Sequence, residues 1–360
     1  MDEFDAMVRA LVERRGTDLH LLTGAVPTLR VDGRLERLDD QPLTAGVVVA
    51  AADGLLSSDQ AHAVDTAGEV VTAVELPGLG RFRVHAYRSL SGLGIVLRRI
   101  DATPPTLAEL GLPPVLAAVM GSPAGLVLVT GPPGAGRSTT LAALVDEVNR
   151  RRPAVVVTLE APVEHRHQPD RALVVQREVG VDTDSLSAAL RSTAGLGADV
   201  VAVGRLRDAE EVRAVVELAQ GSVLVVAVLD APTAAEAVAR VVQAWPEARE
   251  RLARTLLASA LRVVVSQRLV ARADGAGRVV AAEVLVGTPR VAEVITEPAG
   301  GAGTLEQLMA DGEYSGMQTL DQALVRLVRD GLVTRDDALA AAVHRDDLSI
   351  ALEAAKRVVR

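Results

Sequence analysis

Near the start of the chain, Phe4, Met7, Val8, Leu11 and Val12 fall at the three- and four-residue steps of a single helical face, and Gly16 stops the helix. The stretches "TDLHLLTG" and "TLRVDGRLERL" then alternate as strands around turn glycines. In "GRFRVHAYRS", Phe82, Val84 and Ala86 point one way while Arg81, Arg83 and His85 point the other, so this strand carries a basic stripe. Such a stripe suits an anionic partner or an ordinary solvated sheet face. The prolines of "RRIDATPPTLAELGLPP" end the strand pattern and mark a linker over residues 101–115. Beyond it, apolar strands alternate with helices. They run "GLVLVTG", a helix from Ser138 to about Arg151, "AVVVTLE", "DSLSAALRST", "DVVAVG", "DAEEVRAVVELAQ", "SVLVVAVL" and "AAEAVARVVQAW". That succession predicts a parallel sheet covered on both faces. The last stretch, with "LDQALVRLVRDGLV" and "TRDDALAAAV", reads as helices, its "RDD" runs as solvated helix ends.

With 360 residues, 49% of them hydrophobic, the chain is long enough for two cores, and the pattern divides it into domains 1–100 and 116–360. The absence of cysteine excludes a disulfide framework and a thiolate zinc site. The N-terminus "MDEFDAMVRA" lacks the basic and apolar regions of a signal peptide, and no apolar run approaches the ~18 residues of a membrane span. A cytoplasmic protein is therefore expected. A net charge of -9 argues against nucleic acid as its partner. Lys356 is the only lysine among 38 basic residues, so an arginine at any one position carries little information by itself.

The stretch "GPPGAGRSTT", residues 131–140, has the frame of a phosphate-binding loop, GxxxxGK[ST], with Arg137 in place of the lysine. Such loops work because glycines let successive backbone N–H groups turn inward around phosphates, with the following helix N-terminus adding positive potential. Gly131, Gly134, Ala135 and Gly136 supply that frame. Ser138 stands where a Mg²⁺-coordinating hydroxyl belongs, and Thr139 follows it. A lysine offers a compact ammonium to the terminal phosphates, whereas a guanidinium is bulky and planar. Arg137 keeps the charge and displaces it. A glycine-rich turn that binds nothing remains the alternative to a nucleotide cradle.

With the loop, "EAPVEHRHQ", "VVQREVGVDTDSLSAALRS", "VGRLRDAEEVR" and "SGMQTLDQALVRLVRDGLV" resemble the type II/IV secretion ATPase family, and within it the PilT-like branch of type IV pilus retraction motors. The resemblance runs from "GTDLHL" through "GLVTRDDAL". It implies a PAS-like N-terminal α/β domain, a RecA-like P-loop ATPase domain with a parallel sheet and C-terminal helices, and a six-subunit ring. It further implies ATP with Mg²⁺, an inner-membrane pilus platform protein as partner, and a seat at the cytoplasmic face of that membrane. Extension and secretion motors of the family commonly carry a tetracysteine zinc motif, so its absence favours the retraction branch and no zinc.

Carried over residue by residue, the resemblance is uneven. The Asp box keeps Glu160 and Glu164 but has Ala161 where its aspartate belongs. The Walker B segment keeps Gly204, Arg207 and Asp208 but holds Arg205 where the family's general-base glutamate belongs. A cation there can neither accept a proton from water nor help a Mg²⁺ ion settle. Ser222 and Asp230 replace the two histidines of the His box, and "AGLGAD" replaces "LREDPD". Arg81, Arg83 and Arg98 match arginines that in the family act on a neighbouring subunit's nucleotide; a fourth is Ser91. The expected protein is thus a nucleotide-binding ring subunit impaired in hydrolysis, in a homo-hexamer or a mixed ring with a competent PilT-like paralogue. The alternatives are a working ATPase with Glu160 or Glu164 as base, and a nucleotide-independent scaffold. His165 and His167 have a spacing that suits a metal, though solvated loop positions are the ordinary expectation; Trp245 before Pro246 reads as helix packing.

Overall fold

The computed structural model describes residues 2–31, 33–101, 103–297 and 304–358. Its contacts divide the chain into two units, Met1–Thr103 with Pro162–Arg166, and Pro104–Ala161 with His167–Arg360.

The first unit contains α1 (Asp2–Glu13), β1 (Asp18–Leu22), β2 (Thr28–Val31), β3 (Arg34–Arg37), α2 (Ala45–Leu55), α3 (Ser58–Ala67), β4 (Glu69–Leu76), β5 (Gly80–Ser89) and β6 (Gly92–Ile100). The strands form one antiparallel sheet in the order β3-β2-β1-β6-β5-β4. Period-two alternation turns Leu19 and Leu21, Phe82, Val84 and Ala86, and Ile95 and Leu97 to one face. There they pack with Phe4, Met7, Val8 and Leu11 of α1 and Val48 and Leu55 of α2. The two helices between β3 and β4 start on side-chain caps: Thr44 accepts from the Val47 N–H, and Ser57 forms a reciprocal capping box with Gln60.

The second unit begins with α4 (Val115–Val119), β7 (Gly125–Gly131), α5 (Arg137–Arg151), β8 (Val155–Glu160), β9 (Leu173–Glu178) and α6 (Leu186–Thr193). It continues through β10 (Val200–Arg205), α7 (Ala209–Leu218), β11 (Leu224–Asp230), α8 (Ala234–Gln243), α9 (Glu250–Ala260), β12 (Leu261–Ala271), β13 (Arg278–Val286) and α10 (Pro289–Thr296). Four helices close it: α11 (Leu305–Asp311), α12 (Leu320–Arg329), α13 (Arg335–Ala341) and α14 (Arg345–Val358). The sheet order is β13-β12-β7-β11-β10-β8-β9, parallel throughout except for β13, which pairs antiparallel with β12. The expected parallel sheet is present, with an antiparallel edge strand added to it.

Alternate residues of each central strand feed opposite cores. Val127 and Val129 pack with Leu141, Leu144 and Val148 of α5, while Leu126 and Leu128 pack with α6 to α10. All seven residues of β7 are buried, which is why it reads as a continuous apolar run. Trp245, 7% exposed, lies in the core beneath α7 to α10. No helix among the described residues is long and apolar enough to cross a membrane.

Candidate phosphate-binding site

In an open α/β sheet, ligands bind outside the carboxyl ends of the strands. The strands β7, β11, β10 and β8 are consecutive neighbours here, so their last residues stand in a row. The row reads Gly131, Asp230, Arg205 and Glu160. From Gly131 the chain turns through Pro132 to Gly136 into α5.

That turn has the backbone that phosphate cradles need. Gly131, Gly134 and Gly136 have φ of 141°, 79° and 84°, the left-handed half of the map that side chains disfavour. At Gly131 a Cβ would also collide with the Gln267 carbonyl oxygen. Beneath the loop, the fully buried Gln267 of β12 uses both ends of its amide. Its Nε2 donates to the Ala135 carbonyl at 2.6 Å, and its Oε1 accepts from the Thr140 hydroxyl at 2.9 Å. One side chain thus fixes the loop to the first turn of α5. The hydroxyls of Ser138 and Thr139, both half-buried, make no hydrogen bond among the described residues.

Arg137, the first residue of α5, turns back toward β11. Its Nη1 donates to the Leu229 carbonyl at 3.3 Å and to Asp230 Oδ1. Asp230 is the register partner of Gly131 across the sheet, which puts its carboxylate at the loop. Its other oxygen, Oδ2, accepts from Arg205 Nε at 2.6 Å and from Arg205 Nη2. The register of β10 on β11 shifts between Val203 and Arg205, a bulge centred on Gly204. Bulges re-aim side chains, and this one leads directly into Arg205. Burial by itself would raise the Asp230 carboxyl, but hydrogen bonding and charge from Arg137, then from Arg205, hold it below the ordinary carboxylate range. Glu160 ends β8 half-buried, with Oε1 accepting from the Thr158 hydroxyl at 2.9 Å. A Cβ on Gly204 would lie 3.7 Å from Glu160 Cγ, so these two strand ends are in close approach. Among the described residues no group of three or more histidines or carboxylates is arranged to hold a metal ion.

Residues 7–337 match the family described as type II/IV secretion system protein. The chain belongs to that family. It is similar to the type IV pilus ATPase PilU of Pseudomonas aeruginosa, 36% identical over 98% of this chain and 91% of the relative. It is also similar to the type IV pilus retraction ATPase PilT of the same organism, 38% identical over 89% of this chain and 93% of that one. The crystal structure of the pilus retraction motor PilT with bound ADP superposes with a TM-score of 0.83 at 31% identity, covering 95% of this chain and 98% of the other. The chain is thus a PilT-like member of the secretion ATPase family, and three of the positions at which its sequence was expected to depart from the family motifs, Arg137, Arg205 and Asp230, meet on the Asp230 carboxylate.

Arg207 and Asp208, expected as the kept part of the Walker B segment, serve the start of helix α7. Asp208 is its N-cap, accepting from the Glu211 N–H at 2.9 Å, and the Glu211 carboxylate accepts in return from the Arg207 N–H at 2.6 Å. Burial, foremost, raises the Glu211 carboxyl.

The remaining predicted site residues belong to the first unit, each with a partner there. Arg81, 8% exposed, donates from Nε to the Glu164 carbonyl at 2.7 Å and from Nη2 to the Val163 carbonyl at 2.6 Å. Arg83 Nη1 lies 2.6 Å from Glu164 Oε1. Arg98 Nε lies 2.7 Å from Oδ1 of Asp18, itself only 3% exposed. The Asp box is therefore divided: Glu160 ends a strand of the second unit, whereas Glu164 is held by β5 of the first. The expectation that His165 and His167 are solvated is corrected. They are 6% and 8% exposed; His165 follows a segment whose Val163 and Glu164 carbonyls accept from Arg81, and the His167 N–H donates to Gln176 Oε1 at 2.9 Å. Burial lowers the His165 pKa.

Two features were not read from the sequence. Gln267 was missed, although a lone amide inside the apolar run "LRVVVSQRLVA" is a signal that a buried polar group has work there. Asp230 was seen only as a lost histidine, and nothing local announces that it pairs with residues 93 and 25 positions away.

Proposed function

We propose that this chain is a ring-forming subunit of a type IV pilus motor that binds ATP but hydrolyses it slowly or not at all, acting in a hexamer beside a competent PilT-like paralogue. The observation that carries the reading is the pairing of Arg137 and Arg205 on the single carboxylate of Asp230. The position of the family's general base holds a cation paired with Asp230, so no group there can take a proton from an attacking water. The position of the phosphate-reaching lysine holds a guanidinium tied to β11. The cradle itself keeps its three left-handed glycines and the free Ser138 hydroxyl, which supports binding without turnover. Nucleotide contacts would come from Gly131, Gly134, Ala135, Gly136, Arg137, Ser138 and Thr139. The family's seat, the cytoplasmic face of the inner membrane against a platform protein, is the place proposed for it.

A second reading is a working ATPase with a displaced base. Glu160, in close approach to the Gly204 bulge, is the residue that favours it; Glu164 is occupied by Arg83. Phosphate release from Mg-ATP by the purified oligomer separates the two. The expected result is no turnover above a Ser138→Ala control, with some restored when Arg137→Lys, Arg205→Glu and Asp230→His are combined. Turnover that disappears in the Ser138→Ala and Glu160→Gln variants would establish the second reading instead.

A further inference from the structure

The Arg137–Asp230–Arg205 group does more than remove a base. Two guanidiniums and one carboxylate carry one net positive charge, set at the strand ends beside the mouth of the loop. The carboxylate is spent, with Oδ1 on Arg137 and Oδ2 on Arg205. The cations are not spent. Arg137 uses only Nη1, leaving Nε and Nη2, and Arg205 uses Nε and Nη2, leaving Nη1. Arg205 is also 65% exposed, so its remaining N–H groups are presented outward. Guanidinium groups match phosphate oxygens in geometry and charge, often bidentately.

A Mg²⁺ ion in a P-loop site needs a hydroxyl from the loop and acidic help from the strand end opposite. Ser138 offers the hydroxyl. The acidic help fails the fit: the Walker B position is a cation, the Asp230 oxygens on the neighbouring strand are both engaged, and Glu160, which accepts from the Thr158 hydroxyl, ends β8, three strands along the sheet from β7. We propose that this site binds nucleotide phosphates without a divalent cation, the two guanidiniums supplying the positive charge that Mg²⁺ supplies in a metal-dependent site. The proposal rests on the reading of the chain as a nucleotide-binding subunit and adds to it the form of the ligand: the free nucleotide rather than its magnesium complex. Asp230 acts as a positioning residue that holds the two cations side by side against their mutual repulsion.

The test is calorimetric titration of the purified full chain with ADP, once in EDTA and once in excess MgCl₂. Affinities that agree within about threefold support the proposal, and in Arg205→Glu binding in EDTA falls by about tenfold or more while binding with Mg²⁺ persists. Wild-type binding about tenfold weaker in EDTA than in Mg²⁺ overturns the proposal and leaves the nucleotide-binding reading standing. No binding in either buffer overturns that reading as well. The wild-type comparison needs no variant, so a poorly folding Arg205→Glu chain does not blunt it.

Discussion

Glu283 offers a quantitative check on the second unit. It lies in β13 with 6% of its surface exposed, and its Oε1 accepts from the N–H of Ala234, the first residue of α8, at 2.6 Å. Burial, aided by the charges of Glu306 and Asp321, raises its pKa from 4.5 to about 7, against the opposing effects of the Ala234 bond and Arg268. Between those values the unfolded chain is ionised at this residue while the folded chain holds its proton. Stability therefore falls as pH rises from 4.5 to about 7 and levels off above. Worked from the two pKa values, the penalty is ~1.4 kcal/mol at about pH 5.5 and ~3 kcal/mol at about pH 8. Glu283→Gln keeps an acceptor for the Ala234 N–H and cannot ionise. Urea unfolding of both proteins should show the variant gaining ~2 kcal/mol more at about pH 8 than at about pH 5.5. An equal difference at the two pH values would refute the assignment of a buried, proton-holding carboxyl.

Two further substitutions test the supports of the site. Gln267→Leu removes the amide beneath the loop, orphaning the Ala135 carbonyl and the Thr140 hydroxyl; it should lower unfolding stability by about 2 to 4 kcal/mol and weaken ADP binding in calorimetry. Arg81→Ala leaves the Val163 and Glu164 carbonyls without this donor and should cost about 2 to 4 kcal/mol, with amide exchange accelerating first in residues 162–166.

Where one face of an element is buried and the other is not, the sequence announces it. Helix α1 and strand β5 are legible for that reason: Val8, Leu11, Phe82, Val84 and Ala86 are all fully buried at the spacing their periods predict. The P-loop is legible because positive φ at fixed intervals leaves a glycine pattern. Strands β12 and β13 are not, since they are buried on both faces and carry no period. Helices α2 and α3 escaped for a different reason. Their start signals, Thr44 and Ser57 with Gln60, are short motifs in an alanine-rich stretch whose apolar face is weakly marked. The segment before His165 is tied down by Arg81, 82 or more residues away in sequence, and no local pattern encodes such a tether.

The same dependence on distant partners changes what the altered motifs mean. Taken one at a time, Arg137 looks like the product of a coding bias toward arginine, Arg205 like a damaged base and Asp230 like a lost histidine. Joined across α5, β11 and β10, the two guanidiniums share one carboxylate, and each accounts for the tolerance of the others. Reverting Arg205 alone to glutamate would set two carboxylates against one guanidinium; reverting Asp230 alone to histidine would leave two cations, Arg137 among them mostly buried, without this counter-charge. Removing one member of a paired charge group costs more than replacing the group together. The three positions therefore constitute one structural unit, and activity recovered by the triple reversion should exceed the sum of what the single reversions recover.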